Sequence, residues 1–272
     1  MYQLLTSILR LTAWPMTPPA PYSAFHILLT LSGSAAAVYF AQTFSQKARS
    51  AAESDTYIRR ILFTCGAILA VMELYKQVFL YIIEFNGHFD WWYFPFQLCS
   101  IPMYLCLAAP FLRSRILFRR AATFLQDFAL LGGIMALAVP PGLMHPYWTM
   151  TLHGFFWHFI LLFLGLFCCM TDTAGHEIWN FTEILPFFLF CCLIAALINI
   201  AAGPDADADM FYISPFHPSS QPVFHQIAAV LGIVPGNLLY ICTVAFGGFL
   251  VHTFIKKLSK LSPRKKDLRP GA

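Results

Sequence analysis

Seven predominantly apolar runs follow one another along the chain, at about 25–44, 61–83, 94–112, 123–140, 151–170, 184–202 and 235–255. A helix that crosses a bilayer needs roughly 20 such residues. Backbone N–H and C=O groups in hydrocarbon must bond within their own segment, so each run predicts a transmembrane α-helix. None alternates apolar and polar residues as a half-buried strand does. The pattern predicts an all-α fold: one bundle of seven transmembrane helices over 25–255, with no soluble domain. Ahead of it, Leu4, Leu5, Ile8, Leu9 and Leu11 fall on one helical side. Residues 1–14 include Arg10 and Trp14 and lack a long apolar centre with a small-residue cleavage site. They predict a short interfacial helix rather than a cleavable leader.

The basic residues set an orientation. Lys47, Arg49, Arg59 and Arg60 lie between the first and second runs, and Arg113, Arg115, Arg119 and Arg120 between the third and fourth. Lys256, Lys257, Lys260, Arg264, Lys265, Lys266 and Arg269 follow the seventh. Of the 17 Lys and Arg, only Arg10 and Lys76 lie elsewhere. With seven crossings these three segments share one side, which the positive-inside rule makes the cytoplasm. The expected topology is N-terminus out and C-terminus in, with 256–272 a basic tail against anionic headgroups. The opposite connections are neutral or acidic, as in "GPDADAD" at 203–209. The longest of them, 203–225, suits either a lid or a plain connector.

Composition agrees: 58% of residues are hydrophobic and 11% charged, where soluble domains carry about a quarter charged residues. A soluble enzyme is excluded. The net charge of +4 needs no nucleic-acid partner, because topology accounts for it. The expected location is an integral, multi-pass one, in the plasma (inner) membrane if the source is bacterial. Eight cysteines, nearly all inside apolar runs, predict free thiols.

Polar side chains in the membrane are expensive, and each is a functional candidate. Cys99 lies roughly 8 Å below the outer end of its run and His158 about 10 Å below the outer end of its own, taking ~1.5 Å per residue. Asn199 and Asn237 sit near outer ends. Glu73, Gln77 and Glu84 share one face of the second run, with Lys76 beside them. The set converges on the outer half of the bilayer. Each member also has a plain structural use: Cys99 as a small hydrophobe, His158 and the two asparagines as interhelical bonds, Glu73 and Lys76 as an ion pair. Cys106, Cys168, Cys169, Cys191 and Cys192 read as packing. Neither the spacing of His145, His153 and His158 nor any flanking carboxylate suits a metal, and no phosphate loop or GxSxG elbow is present, so no cofactor is expected. A cysteine and a histidine at matching depth have the makings of acyl transfer, with the histidine as base for the thiol.

"PFQLCS" (Pro95 to Ser100), "HPYWTMTLHGFFWHFILLF" (His145 to Phe163), Asn199 and "LGIVPGNLLY" (Leu231 to Tyr240) occur in that order. Together they resemble the YwaF family of multi-pass membrane proteins, over roughly 25–255. Its eukaryotic relative is a transmembrane acyltransferase that passes acyl chains from phosphatidylcholine to lysoplasmalogens through an acyl-cysteine. The resemblance implies that Cys99 is the nucleophile and His158 its partner. Many bacterial members carry His where this chain has Gln97, and Gly-Pro-Trp-Pro where it has Gly232-Ile-Val-Pro235.

The expected function is therefore transfer of a fatty acyl chain between phospholipid and lysophospholipid in the outer leaflet, through acyl-Cys99. Gln97, Asn199 or Asn237 would donate to the oxyanion, with Glu73, Lys76 and Gln77 near the substrate. Water in place of the lipid hydroxyl would make the protein a lipase. The alternative is a non-enzymatic lipid or small-molecule transporter using the polar face of the second run. An inert assembly subunit, with no individually critical polar residue, is a third reading. Oligomeric state is left open.

Overall fold

The computed structural model describes residues 2–261, and among these every regular element is helical. Helix α1 spans Tyr2–Arg10, α2 Ala24–Ser50 and α3 Ser54–Phe79, the last extended by a π turn over Leu80–Glu84. After a short α4, Ile101–Ala108, helices α5 (Arg115–Phe124) and α6 (Leu130–Ala138) run on through a second π turn, Leu125–Ala129. Then come α7 (Trp148–Met170), α8 (Ile178–Ala202), α9 (Phe224–Leu231) and α10 (Ile233–Leu261). Among the described residues six helical stretches are long and apolar enough to cross a membrane: Ala24–Ser50, Ser54–Glu84, Arg115–Ala138, Trp148–Met170, Ile178–Ala202 and Ile233–Lys257. Residues 262–272, the larger part of the expected basic tail, lie outside the described residues.

The third apolar run departs from a simple crossing helix. Its helical part is Leu98–Phe111, about 21 Å long at ~1.5 Å per residue, against the ~30 Å of a hydrocarbon core. Proline explains the shortfall, because it lacks the donor that a helix interior needs. Pro95 precedes the helix, Pro102 sits in the first turn of α4, and Pro110 lies in the closing 3₁₀ turn. Even so, the segment is tied to α3 at both ends. Gln77 donates to the Tyr93 carbonyl, and Arg59 donates to the carbonyls of Ala109 and Leu112 at 2.7 and 2.9 Å. Arg59 and Gln77 are about 27 Å apart along α3. The segment from Tyr93 to Leu112 thus runs antiparallel beside nearly all of α3. Gly66 makes the close approach possible: a Cβ there would stand 2.7 Å from the Leu107 nitrogen and 2.9 Å from the Cys106 Cβ.

Side chains define the two ends of the bundle. At one end Arg49 donates to the Met170 carbonyl (2.8 Å), Lys256 meets Glu177 (2.8 Å) and Arg120 meets Glu183 (3.3 Å). This basic end gathers the 45–55, 112–116 and 171–178 connections. At the opposite end α1 lies down with Leu9 buried against Phe79, Leu80 and Met150, and Pro15 and Met16 pair with the backbone of Tyr147 and Pro146.

The polar residues do not all gather in the outer half, as the sequence suggests. Gln126, Asp127 and His252 have no solvent exposure and lie toward the basic end. The Asp127 Oδ2 is 2.8 Å from His252 Nδ1, and Gln126 donates to Asp127 Oδ1 at 3.0 Å. His252 Nε2 faces the Glu177 carbonyl at 3.0 Å. A carbonyl only accepts, so Nε2 carries a proton and one more proton lies between His252 and Asp127. Whichever residue holds it, the pair is neutral overall. It ties α10 to the π turn between α5 and α6.

Asp127→Leu leaves a buried, neutral imidazole with one nitrogen unsatisfied and is expected to destabilise the fold by about 1–3 kcal/mol. Asp127→Asn, whose amide N–H can donate to Nδ1 while its oxygen still accepts from Gln126, is expected to lose clearly less. Melting temperatures in detergent compare the two. Equal stability of Asp127→Leu and the parent would show that the pair holds nothing together.

Candidate functional site

The entrance to α4 is shaped by its two prolines. Between Pro95 and Pro102 the chain is extended at Gln97, then makes a single 3₁₀ turn, Leu98–Ser100. Cys99 sits in that turn, and its carbonyl accepts a hydrogen bond from Trp157 Nε1 of α7 at 3.0 Å. The cysteine segment is therefore docked on α7 at the residue next to His158. The thiol and the His158 ring make no hydrogen bond with each other. His158, 8% exposed, donates from Nδ1 to the Gly154 carbonyl one turn back, at 2.7 Å. That bond fixes the tautomer: Nδ1 holds the proton and Nε2 keeps its lone pair. Among the described residues Nε2 has no hydrogen-bond partner.

The charged group nearest this place comes from α3. Glu73 and Lys76 form an ion pair at 2.9 Å, and Gln77 donates to Glu73 at 2.7 Å. Cys99 and His158 both lie within electrostatic reach of Lys76. Glu84 leaves this group, because the π turn swings it to His145, 3.2 Å away. Burial pushes the His145 pKa down to about 4, so its ring is uncharged at neutral pH.

The three amides read as oxyanion donors have a different occupation. Gln97 donates to the Asp209 carbonyl (2.9 Å) and accepts from the Phe211 N–H (2.7 Å). Asn199 donates to the Met210 carbonyl (3.1 Å) and accepts from its N–H (2.7 Å). Asn237 donates to the Ser214 carbonyl (2.8 Å), with its own Oδ1 buried and unbonded among the described residues. All three thus grip Asp209–Ser214, a stretch of the longest connection that folds back into the bundle.

A family model described as the TMEM164 family matches residues 21–256. The chain belongs to the TMEM164 family. No curated protein and no solved structure matches it. Membership in this transmembrane family, with six long apolar helices, identifies an integral, multi-pass membrane protein. The matched span covers the candidate site residues, from His158 and Cys99 to the three amides, and omits α1.

Beside these residues lies His153, which the sequence offers only as an unsuitable metal ligand. His153 donates from Nε2 to the Met72 carbonyl (3.1 Å) and stacks on Trp157, ring centres 5.7 Å apart. It lies within electrostatic reach of both Lys76 and His158. The four-residue spacing of His153 and Trp157 was the available signal, since it puts both on the α7 face that meets Cys99. All eight cysteines are free. Cys106 is fully buried against Gly66, a packing residue.

Asp209, in the gripped stretch, is 4% exposed and accepts from the Ser214 N–H at 2.8 Å. Burial lifts its carboxyl from the ordinary 3.8 to about 6. A raised carboxyl pKa means that the folded protein binds the proton more tightly than the unfolded chain does. The stabilisation is therefore present below pH 4 and is lost as pH rises through about 6, on the order of 3 kcal/mol for a shift of this size. Asp209→Asn, which keeps the acceptor for Ser214, is expected to flatten the stability profile between about pH 4 and 6. Melting in detergent across that range checks it; parallel profiles for the parent and the variant would contradict the assignment.

Proposed function

We propose that this protein is a membrane-embedded acyltransferase that moves a fatty acyl chain between phospholipid and lysophospholipid through an acyl-Cys99 intermediate in the outer leaflet. The observation that carries this reading is the Trp157–Cys99 bond. It docks the thiol segment on α7 at Trp157, the residue before His158, whose Nε2 lone pair is kept free by the Nδ1–Gly154 bond. The ordered resemblance to the YwaF family and its acyl-cysteine relative supports it further.

The chemistry runs in two halves. His158 Nε2 takes the Cys99 proton as the sulfur bonds to the ester carbon of a donor phospholipid. The ester C–O bond breaks, and the departing oxygen takes the proton from His158. A lysophospholipid hydroxyl then gives its proton to His158 while its oxygen attacks the thioester carbon; the C–S bond breaks, and the released Cys99 sulfur takes that proton from His158, restoring the thiol. Water in the second half gives a free fatty acid instead.

The leaflet follows from a proposed topology of seven crossings, in which Tyr93–Leu112 counts as the third because it accompanies α3 along its length. All Lys and Arg other than Arg10 and Lys76 then fall on one side, which is the cytoplasm by the positive-inside rule. A tag on the C-terminus is expected to be reachable only from the cytoplasmic side; exposure at the outer surface would overturn the leaflet assignment.

A second reading, a non-enzymatic transporter, is favoured by the presence of buried and half-buried polar groups in both halves of the bundle: Glu73 with the half-buried Lys76 and Gln77 in one, Asp127 and His252 in the other. Labelling separates the two. With a phospholipid whose acyl chain is radiolabelled, the parent is expected to form a thioester-linked adduct and Cys99→Ser none, at matched amounts of folded protein. Cys106→Ser is expected to label as the parent does. Equal labelling of the parent and Cys99→Ser, or loss only in Cys106→Ser, would sink the acyl-cysteine reading.

A further inference from the structure

The turn that carries Cys99 lacks a bond that its shape ordinarily provides. In a 3₁₀ turn a carbonyl accepts from the N–H three residues on. Three residues after Cys99 stands Pro102, which has no N–H to give. Trp157 supplies a donor instead, at 3.0 Å. An indole has a single N–H, so this bond uses all that Trp157 can donate. With the turn held at this carbonyl, one side-chain torsion is left to place the sulfur.

The indole is itself held. It is buried in the apolar cluster that joins Leu69 of α3 and Met103 of α4 to α7. His153, one helical turn earlier, lies nearly flat against it, with 27° between the ring planes and 5.7 Å between their centres. The imidazole cannot swing away freely, because its Nε2 donates to the Met72 carbonyl of α3 at 3.1 Å. Met72 directly precedes Glu73, so this anchor is on the turn of α3 that bears the Glu73–Lys76 pair. A continuous line of contacts therefore runs from α3 through His153 and Trp157 to the Cys99 carbonyl: a hydrogen bond, a ring stack and a second hydrogen bond. A histidine in a membrane-crossing helix is costly as mere filler.

We propose that His153 is a positioning residue for acyl transfer: it orients the Trp157 indole, and through that N–H it fixes the turn from which Cys99 attacks. His153 acts through Trp157 and moves no proton; the proton belongs to His158 Nε2. One turn of α7 then makes both adjustments, with the Gly154 carbonyl orienting the base and His153 supporting the nucleophile. The inference rests on the acyl-transfer reading given above.

The test uses the full-length protein in nanodiscs with phosphatidylcholine radiolabelled in its acyl chain, at matched amounts of folded protein. It reads the rate of acyl-Cys99 formation at saturating donor, and the donor concentration that gives half of that rate. Trp157→Phe removes the N–H and is expected to lower the saturating rate about 10²-fold, the cost of a small misplacement of a reacting group. His153→Phe keeps a flat ring and loses the Met72 bond, while His153→Gln keeps a donor and loses the ring. Each is expected to lower the saturating rate about threefold to tenfold, the weight of one hydrogen bond, with the half-saturating concentration unmoved. Neither is expected to slow Trp157→Phe further, since both act through the same N–H. A merely structural His153 slows both backgrounds alike, and a His153 that is itself the base leaves its variants as dead as His158→Ala. Either result overturns the inference. If Cys99→Ser is dead while a folded His153 variant stays within about twofold of the parent, the inference fails and the acyl-transfer reading stands. If Cys99→Ser still labels, both fail.

Discussion

Backbone that is not helical cannot be left bare among apolar helices, and this constraint organises the whole site. Two stretches inside the bundle depart from helix: the approach to α4 and the folded-back Asp209–Ser214. In each, side chains supply the missing bonds. Gln77 and Trp157 serve the carbonyls of Tyr93 and Cys99 in the first. Gln97, Asn199 and Asn237 serve the second stretch. An orphaned group would cost about 1–3 kcal/mol each. The residues that look like chemistry on paper are thus first of all the means by which irregular chain survives at depth.

The two stretches also serve each other. Gln97 belongs to the first and binds the second, so the turn bearing Cys99 and the folded-back Asp209–Ser214 cannot shift independently. Non-helical backbone at membrane depth is tolerated where protein covers it or where it lines a cavity. It gives the bundle something that regular helices lack: carbonyls, N–H groups and side chains aimed in directions that a cylinder does not offer.

Much of this was legible in the sequence, and what was not has physical reasons. The apolar runs and the one-sided basic residues are long signals, and the helices follow them closely, apart from the run broken by Pro95, Pro102 and Pro110. Those prolines were on view, and length alone outweighed them. Gln97, Asn199 and Asn237 stood out as costly residues, but a side chain amide bonds equally well to a substrate or to a distant loop, and only the fold decides. The π turns at Leu80–Glu84 and Leu125–Ala129 have no comparable signature, since an extra residue in a turn leaves the apolar pattern almost unchanged. They redirected Glu84 to His145 and buried Asp127. The "QD" at 126–127 was a visible break in an apolar run, and His252 was masked by the basic residues that follow it.

The neutral Asp127–His252 pair has a consequence for how the molecule is made. Its members are 125 residues apart in the chain. At a synthesis rate of about 5–20 residues per second, the acid enters the membrane many seconds before its partner exists. Until then the π turn of the fourth apolar run carries a carboxyl group that nothing neutralises, and in hydrocarbon such a group stays protonated. The arrival of the last helix converts a waiting neutral acid into a shared proton bond. Assembly is therefore latched from the far end of the chain: the earlier helices can gather, but this fully buried polar contact closes only when α10 has come in.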